Sequence, residues 1–211
     1  WARSCIGWPV MRTRRPNAAH TAIANLQHRR TVNGLITQNV DGLHQTAGSH
    51  HLIELHGGLA RVQCLACGAI SDRDELQTRM LELNPGWLEQ SVESAPDGDA
   101  ELPREVTNRF RVPACVSCGG ILKPDVIFFG ENVPRERVTA AFACVDAADA
   151  LLIAGSSLKV YSGFRFADHA VKSGKSVAII NRGPTRADAI ASIKLDADTG
   201  DSLLRLAAAL L

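Results

Sequence analysis

No window of this chain is apolar for long enough to span a membrane, and no signal-peptide pattern opens it. Charge of one sign does not accumulate either: 23 Lys and Arg against 22 Asp and Glu leave a formal net charge of +1. That balance gives no electrostatic footprint for nucleic acid or an anionic membrane, so neither is expected as a partner. Internal repeats and low-complexity tracts are missing. So is an initiator methionine; a start at Trp1 implies a processed or trimmed upstream segment and hides any targeting signal. What is there is a globular composition, 45% hydrophobic and 21% charged over 211 residues. That length holds one good core plus a small satellite module.

The six cysteines are unevenly spread. Cys5 and Cys144 stand alone, whereas CLACG (Cys64, Cys67) and CVSCG (Cys115, Cys118) repeat one pattern. Each pair ends in a glycine, Gly68 or Gly119, free to take the positive φ that turns backbone amides toward the sulfurs. One C-x-x-C pair alone leaves a redox dithiol or a disulfide open. Two matched pairs without a secretory signal point to four thiolates around one tetrahedral zinc. No neighbouring acid or histidine completes an open coordination position, so the metal reads as structural.

Periodicity supplies the frame. Asn17 caps a helix over 18–30, NGLITQ (33–38) is a short buried strand, and Ser71 opens a helix reaching 83. ESAPDGDAELP (93–103) is a polar loop. Beyond the second cysteine pair, strands at 125–129, 150–155, 176–180 and 193–195 alternate with helices at 134–148, 163–174 and 200–211. Continuous apolar strands alternating with helices predict an α/β, Rossmann-like fold with a doubly wound parallel sheet covered on both faces. The zinc module, 63–119, is then an insertion between 1–62 and 120–211.

In such sheets ligands gather beyond the carboxyl ends of the strands. That rim receives TQNVDG after GLI, GSSLKVYS after LLIA and NRGPT after VAII. Gly155, Ser156 and Ser157 suit phosphate or ribose oxygens, or make a plain turn. Asn181 suits an adenosine ribose or the cap of the next turn. Asn39 and Asp41 suit a ligand or an Asx turn before Gly42. The run 126–129 is what any central strand would show.

TQNVDGLH, ELHG, the two CxxCG knuckles, KPDVIFFGE, GSSLKVYS and IINRGPT follow one another in the order seen in sirtuins, the NAD-dependent protein-lysine deacylases. The resemblance runs from Trp1 to Leu211, and WARSCIGWP, APDGD and SLKVYSG look most like the class II branch. It implies that His56, of ELHG, is the general base for the nicotinamide ribose hydroxyls, with Asn39 in the catalytic set. Gln38 and Asn39 would hold that ribose and its water, and Asp41 with the backbone of Val40 would take the carboxamide. Gly155, Ser156, Ser157, Asn181, Arg182 and Asp198 complete the implied cofactor contacts.

In sirtuins the acyl-lysine oxygen attacks the ribose carbon as nicotinamide leaves. The base activates the hydroxyl that captures the alkylimidate, giving free lysine and O-acyl-ADP-ribose. The implied substrate peptide pairs as a strand between Phe129, Gly130 and Glu131 on one side and KVYSG (159–163), with Val160 and Tyr161, on the other, and Ile127 and Phe128 line the acyl-lysine tunnel. Arg3 is either a grip for acidic acyl groups or a solvated side chain. The family's first strand and GAG-x-S loop have no match here, so slow turnover of NAD is expected for the 211 residues as given. Two alternatives stay open, a non-catalytic zinc-bearing peptide binder and a protein ADP-ribosyltransferase. The Ala- and Arg-rich composition suggests a bacterial, cytoplasmic protein, with an organellar matrix also open.

Overall fold

A computed structural model of the chain describes residues 1–89 and 102–210; APDGD (95–99) lies outside the described residues. The order is α1 (Ala2–Met11), α2 (Ala18–His28), β1 (Leu35–Thr37), the single turn α3 (Leu43–Thr46), β2 (Leu52–Glu54), β3 (Gly57–Cys64) and β4 (Ile70–Asp72). Next come α4 (Arg73–Leu83), the short α5 (Arg104–Thr107), β5 (Leu122–Val126), α6 (Arg135–Asp146) and β6 (Ala150–Ala154). The chain finishes with α7 (Tyr161–Lys172), β7 (Ser176–Ile180), β8 (Ile193–Leu195) and α8 (Thr199–Ala209). Two compact units result: Trp1–Arg15, Val40–Gly42 and Gly57–Val126 in one, Pro16–Asn39, Leu43–His56 and the chain from Ile127 onward in the other.

The second unit carries the parallel strands. β1 pairs with β2, Leu35 opposite Leu52, and β6, β7 and β8 form a second parallel sheet with β7 central. Among the described residues no ladder joins these two sheets, so the single doubly wound sheet expected from periodicity is present as two parallel pieces. Both faces of β7 are covered. Val177 and Ile179 enter the core built on α6 and α7, with Val145, Phe166, Ala167 and Ala170. Ile180 points the other way, toward Ala22 of α2 and Leu203 of α8. Alternation along a strand sends successive residues to opposite faces, so one five-residue strand serves two helical layers.

The first unit is antiparallel, in the order β4-β3-β5. This corrects the expectation that 125–129 belongs to the parallel sheet: the strand is Leu122–Val126, and it pairs antiparallel with β3. An apolar run does not reveal its partner, and Gly130 at φ 89 turns the chain away after Phe129. Because β3 and β5 pair outside the cysteine knuckles, this unit extends beyond 63–119.

Helix α1 packs against α4 in the same unit. Pro9 lies inside α1 and lacks the N–H that would bond the carbonyl of Cys5; Gln77 Nε2 donates to that carbonyl instead, at 2.7 Å. Arg73, 1% exposed, stacks its guanidinium on the rings of Trp1 (5.3 Å) and Trp8 (5.0 Å) and donates to the Ser4 carbonyl at 3.2 Å. Burial lowers its pKa to about 10, which still leaves it charged at neutral pH. The cap of α4 is Asp72 rather than Ser71: its carboxylate accepts from the amides of Asp74 and Glu75, while Ser71 is taken up by β4.

Asn17 caps α2 as expected. Its side chain accepts from the amides of Ala19 and His20, and the His20 ring reaches back to the Asn17 amide. Replacing Asn17 by Ala should lower the stability of this unit by about 1 kcal/mol in denaturant unfolding, and Asn17→Ser should restore most of it. No change in Asn17→Ala would show that tertiary packing alone holds the helix.

Candidate active site

The site residues of the second unit sit where strands end. Gln38 and Asn39 follow β1, His56 comes two residues after β2, Gly155–Leu158 follow β6, and Asn181 follows β7. A central contact is His56. Its Nδ1 lies 3.2 Å from the carbonyl oxygen of Gln38, and its Nε2 lies 2.9 Å from the hydroxyl of Ser162, near the start of α7. A carbonyl only accepts, so Nδ1 carries the proton and the lone pair is on Nε2. Burial pushes the imidazole below its ordinary pKa, opposed by the bond to Gln38. The group is a neutral base.

Gln38 is fixed as firmly. Its Oε1 accepts from the Ser156 hydroxyl at 2.9 Å, and the same hydroxyl accepts from the amide of Leu158. The rest of its amide lies against Gly163, where an added Cβ would come within 2.7 Å of Nε2. The loop after β6 is sharply turned, with Gly155 at φ 65 and Leu158 at φ 53. A non-glycine residue held at positive φ is strained, and such strain concentrates at functional loops. Gly155 sits beside Thr199, and the carbonyl of Ser157 accepts from the amide of Arg186.

The remaining expected residues divide. Asn39 is exposed, its amide bonded to the Thr37 hydroxyl at 3.1 Å. Val40 and Asp41 belong to the first unit, where the Val40 carbonyl accepts from Leu59 at 2.8 Å. Asn181, buried, donates to the carbonyls of Arg182 and Gly183, so its side chain organises its own turn. Arg182 pairs with Asp198 at 3.6 Å, and Asp198 also caps α8. Phe128 (51% exposed), Phe129 (96%), Val160 and Tyr161 present apolar surface, while Glu131 accepts from the Phe128 amide at 2.8 Å. The amide of Ile127 donates to the His56 carbonyl at 2.9 Å, bringing the start of that segment to the base. The exposed Arg3 donates to the Leu102 carbonyl in the first unit.

In that unit the four expected cysteines come together. The sulfurs of Cys64, Cys67, Cys115 and Cys118 all lie within 4.8 Å of one another, a set able to hold one metal ion. Gly68 (φ 72) and Gly119 (φ 73) adopt the left-handed turn that their sequence positions suggest. Amides of Cys67 and Ala66 lower the Cys64 thiol, and amides of Ser117 and Cys118 lower Cys115 to about 6. Gly120 is needed here too: a Cβ would sit 2.9 Å from the Cys64 sulfur and 2.7 Å from Ala66.

Residues 1–162 match the Sir2 family. The chain belongs to that family. Among its curated relatives, an NAD-dependent protein deacetylase of Xanthomonas campestris pv. campestris (strain 8004) is 52% identical over 203 residues, covering 96% of this chain and 69% of that protein. NAD-dependent protein deacetylase 1 of Streptomyces coelicolor is 48% identical over 207 residues, covering 98% and 69%. A solved Sir2–p53 peptide–NAD+ structure superposes with a TM-score of 0.74 at 30% identity, over 93% of this chain and 71% of that one. A structure of Sir2Tm bound to a propionylated peptide gives a TM-score of 0.75, also at 30% identity. The Rossmann-like α/β fold is thus that of the Sir2 proteins.

Sequence reading placed Ser162 and Gly163 only within the peptide-pairing segment KVYSG (159–163) and did not bring them to His56 and Gln38. No local pattern announces those contacts, because the partners lie 106 residues away at His56 and far back at Gln38. In this sirtuin Gly163→Ala should cost about 1–3 kcal/mol of stability through overpacking on Gln38. Most of that cost should vanish in a Gln38→Ala background, measured as a double-mutant cycle by thermal or denaturant unfolding. An equal cost in both backgrounds would mean that the clash is with something else.

Proposed function

We propose that this chain is an NAD-dependent protein-lysine deacylase of the class II sirtuin branch, removing acetyl groups from protein lysines and releasing nicotinamide. The observation that carries this is the His56 ring, neutral, tied through Nδ1 to Gln38, with its lone pair on Nε2 facing the Ser162 hydroxyl that a ribose hydroxyl would displace. NAD would supply the ribose carbon that bonds the acyl oxygen, the nicotinamide that leaves it and the ribose hydroxyl that takes the acyl group. The chain's own residues do the rest. His56 Nε2 takes the proton of a ribose hydroxyl, and Gln38, locked by Ser156, orients the sugar. Gly155 and Ser157 line the turn on which the phosphate side rests. Asn39, Val40 and Asp41 are assigned to the nicotinamide end. The donor set fits a ribose: one neutral base, one oriented amide and small residues that leave room for a sugar.

The exposed segments Phe129–Glu131 and Val160–Tyr161 are assigned to an acyl-lysine peptide added as a strand, with main-chain bonds supplying affinity. Arg3 is assigned to acidic acyl groups. Among the described residues no helix is long and apolar enough to cross a membrane; a cytoplasmic location is our reading of the Ala- and Arg-rich composition alone.

The metal is zinc. Sulfurs at the corners of a tetrahedron around zinc, with bonds of about 2.3 Å, stand about 3.8 Å apart. Cys64–Cys118 at 3.5 Å and Cys67–Cys115 at 3.9 Å bracket that spacing. All four ligands come from the chain, which closes the coordination shell and makes the role structural. One zinc per chain is expected by elemental analysis, and its removal by chelator should unfold the antiparallel unit, since thiolates and fold assemble together. Metal-free protein with these cysteines in disulfides would overturn the assignment.

His56→Ala in the full-length protein should lower NAD-dependent deacetylation of an acetyl-lysine peptide by ~10²–10⁴ while zinc content is unchanged. The pH profile follows from the ring's environment. His56 acts only when neutral, and its pKa is lowered, so the acidic limb of kcat/KM should fall below the ordinary imidazole value of about 6.5. A limb at higher pH, or full activity in His56→Ala, would remove His56 as the base. Transfer of ADP-ribose to protein without loss of acetyl groups would identify a transferase instead.

A further inference from the structure

We infer that Ser162 is a positioning residue for the base: its hydroxyl holds the His56 ring in one rotation, then accepts from Nε2–H once the ring has taken a proton. This rests on the deacylase reading of His56.

Both ring nitrogens are tied, Nδ1 to the Gln38 carbonyl at 3.2 Å and Nε2 to Ser162 Oγ at 2.9 Å. Turning the imidazole over would place carbon atoms against both partners, losing two hydrogen bonds in a half-buried site. The neutral ring is therefore held with Nε2 as acceptor and Ser162 as donor. A hydroxyl can reverse that role. When Nε2 gains a proton, the serine oxygen has lone pairs to receive it, and the bond becomes charge-assisted and about twice as strong. That matters because burial penalises the imidazolium, and the groups setting its pKa are burial and the Gln38 carbonyl, with no charged side chain among them. Ser162, 2.9 Å from Nε2, is placed to offset the charge as it forms.

Its placement is built in. Ser162 is the second residue of α7, and the next residue, Gly163, lets the helix approach Gln38 closer than any Cβ would permit. The serine therefore comes from a rigid helix, not a free loop, and its partner lies at the end of a parallel strand pair.

The test compares Ser162→Ala and Ser162→Thr in the full-length protein. Nitrogen-15 NMR of the histidine rings, recorded without NAD, reads the His56 titration directly. Ser162→Ala should keep the Nδ1–H tautomer that the Gln38 carbonyl imposes and lower the ring's pKa further, since the charged form loses more than the neutral one. Ser162→Thr, which keeps the hydroxyl, should resemble the parent. In deacetylation assays Ser162→Ala should lower kcat about 10- to 100-fold with little change in peptide KM, rescued by Thr. An unchanged titration in Ser162→Ala would overturn the proposal, as would an unchanged kcat. If the parent protein shows no NAD-dependent deacetylation, the functional reading falls, while the NMR comparison still decides whether Ser162 sets the state of His56.

Discussion

The closeness of α7 to Gln38 is the constraint on which the second unit's chemistry depends. Helices usually stand off their neighbours by the length of two side chains, but at Gly163 there is no side chain to stand off with. Gln38 fills that gap, and filling it fixes where its amide points. With the amide fixed, Oε1 receives Ser156, whose oxygen in turn receives the amide of Leu158 and stabilises the loop after β6. With the helix start fixed, Ser162 reaches His56. A short helix–strand approach thus orients a base, an amide and a loop without any charged pair among them.

The first unit is organised by a different rule. Among the described residues its antiparallel sheet has three strands, too little to support a large core, and its apolar cluster includes two of the four clustered cysteines, Cys64 and Cys115. Those two sulfurs face inward while Cys67 and Cys118 remain exposed. One metal ion would therefore tie the surface of the unit to its interior. Amide donors on Cys64 and Cys115 already favour thiolates there, so part of the electrostatic cost of gathering four sulfurs is met by the turns themselves.

Much of this was legible in the sequence wherever the signal is local. The run 176–180, bounded by Gly174 and Asn181, is β7 to the residue, and the paired C-x-x-C-G knuckles meet as their repetition implies. Asn17 was readable as a cap because nothing else near it accepts from a helix's first amides. What failed was partner choice. Val126 and its neighbours look like any buried strand, yet β5 answers to β3 rather than to the parallel sheets. Helix α1 was hidden by Pro9, whose missing hydrogen bond is made good by Gln77 from another helix. Ser162 was legible only as part of KVYSG; its contact with His56, 106 positions away, was not.

Polar residues follow apolar runs in TQNVDG and ELHG because the chain changes unit there. It crosses between Asn39 and Val40, returns between Gly42 and Leu43, and crosses again between His56 and Gly57. A chain leaving one unit cannot continue that unit's ladder, so its backbone must turn sharply; Gly42 at φ 72 and Gly57 at φ 85 do this where a side chain would be strained. The residues beside those turns are spared from packing a strand and are free to carry chemistry. His56 shows the result. It stands between Leu55, fully buried, and a glycine that turns away, close enough to the core to lose solvent yet free to present a ring nitrogen. The burial that lowers its pKa and the exit that gives it access come from one position in the chain, so moving the turn by a residue would forfeit both.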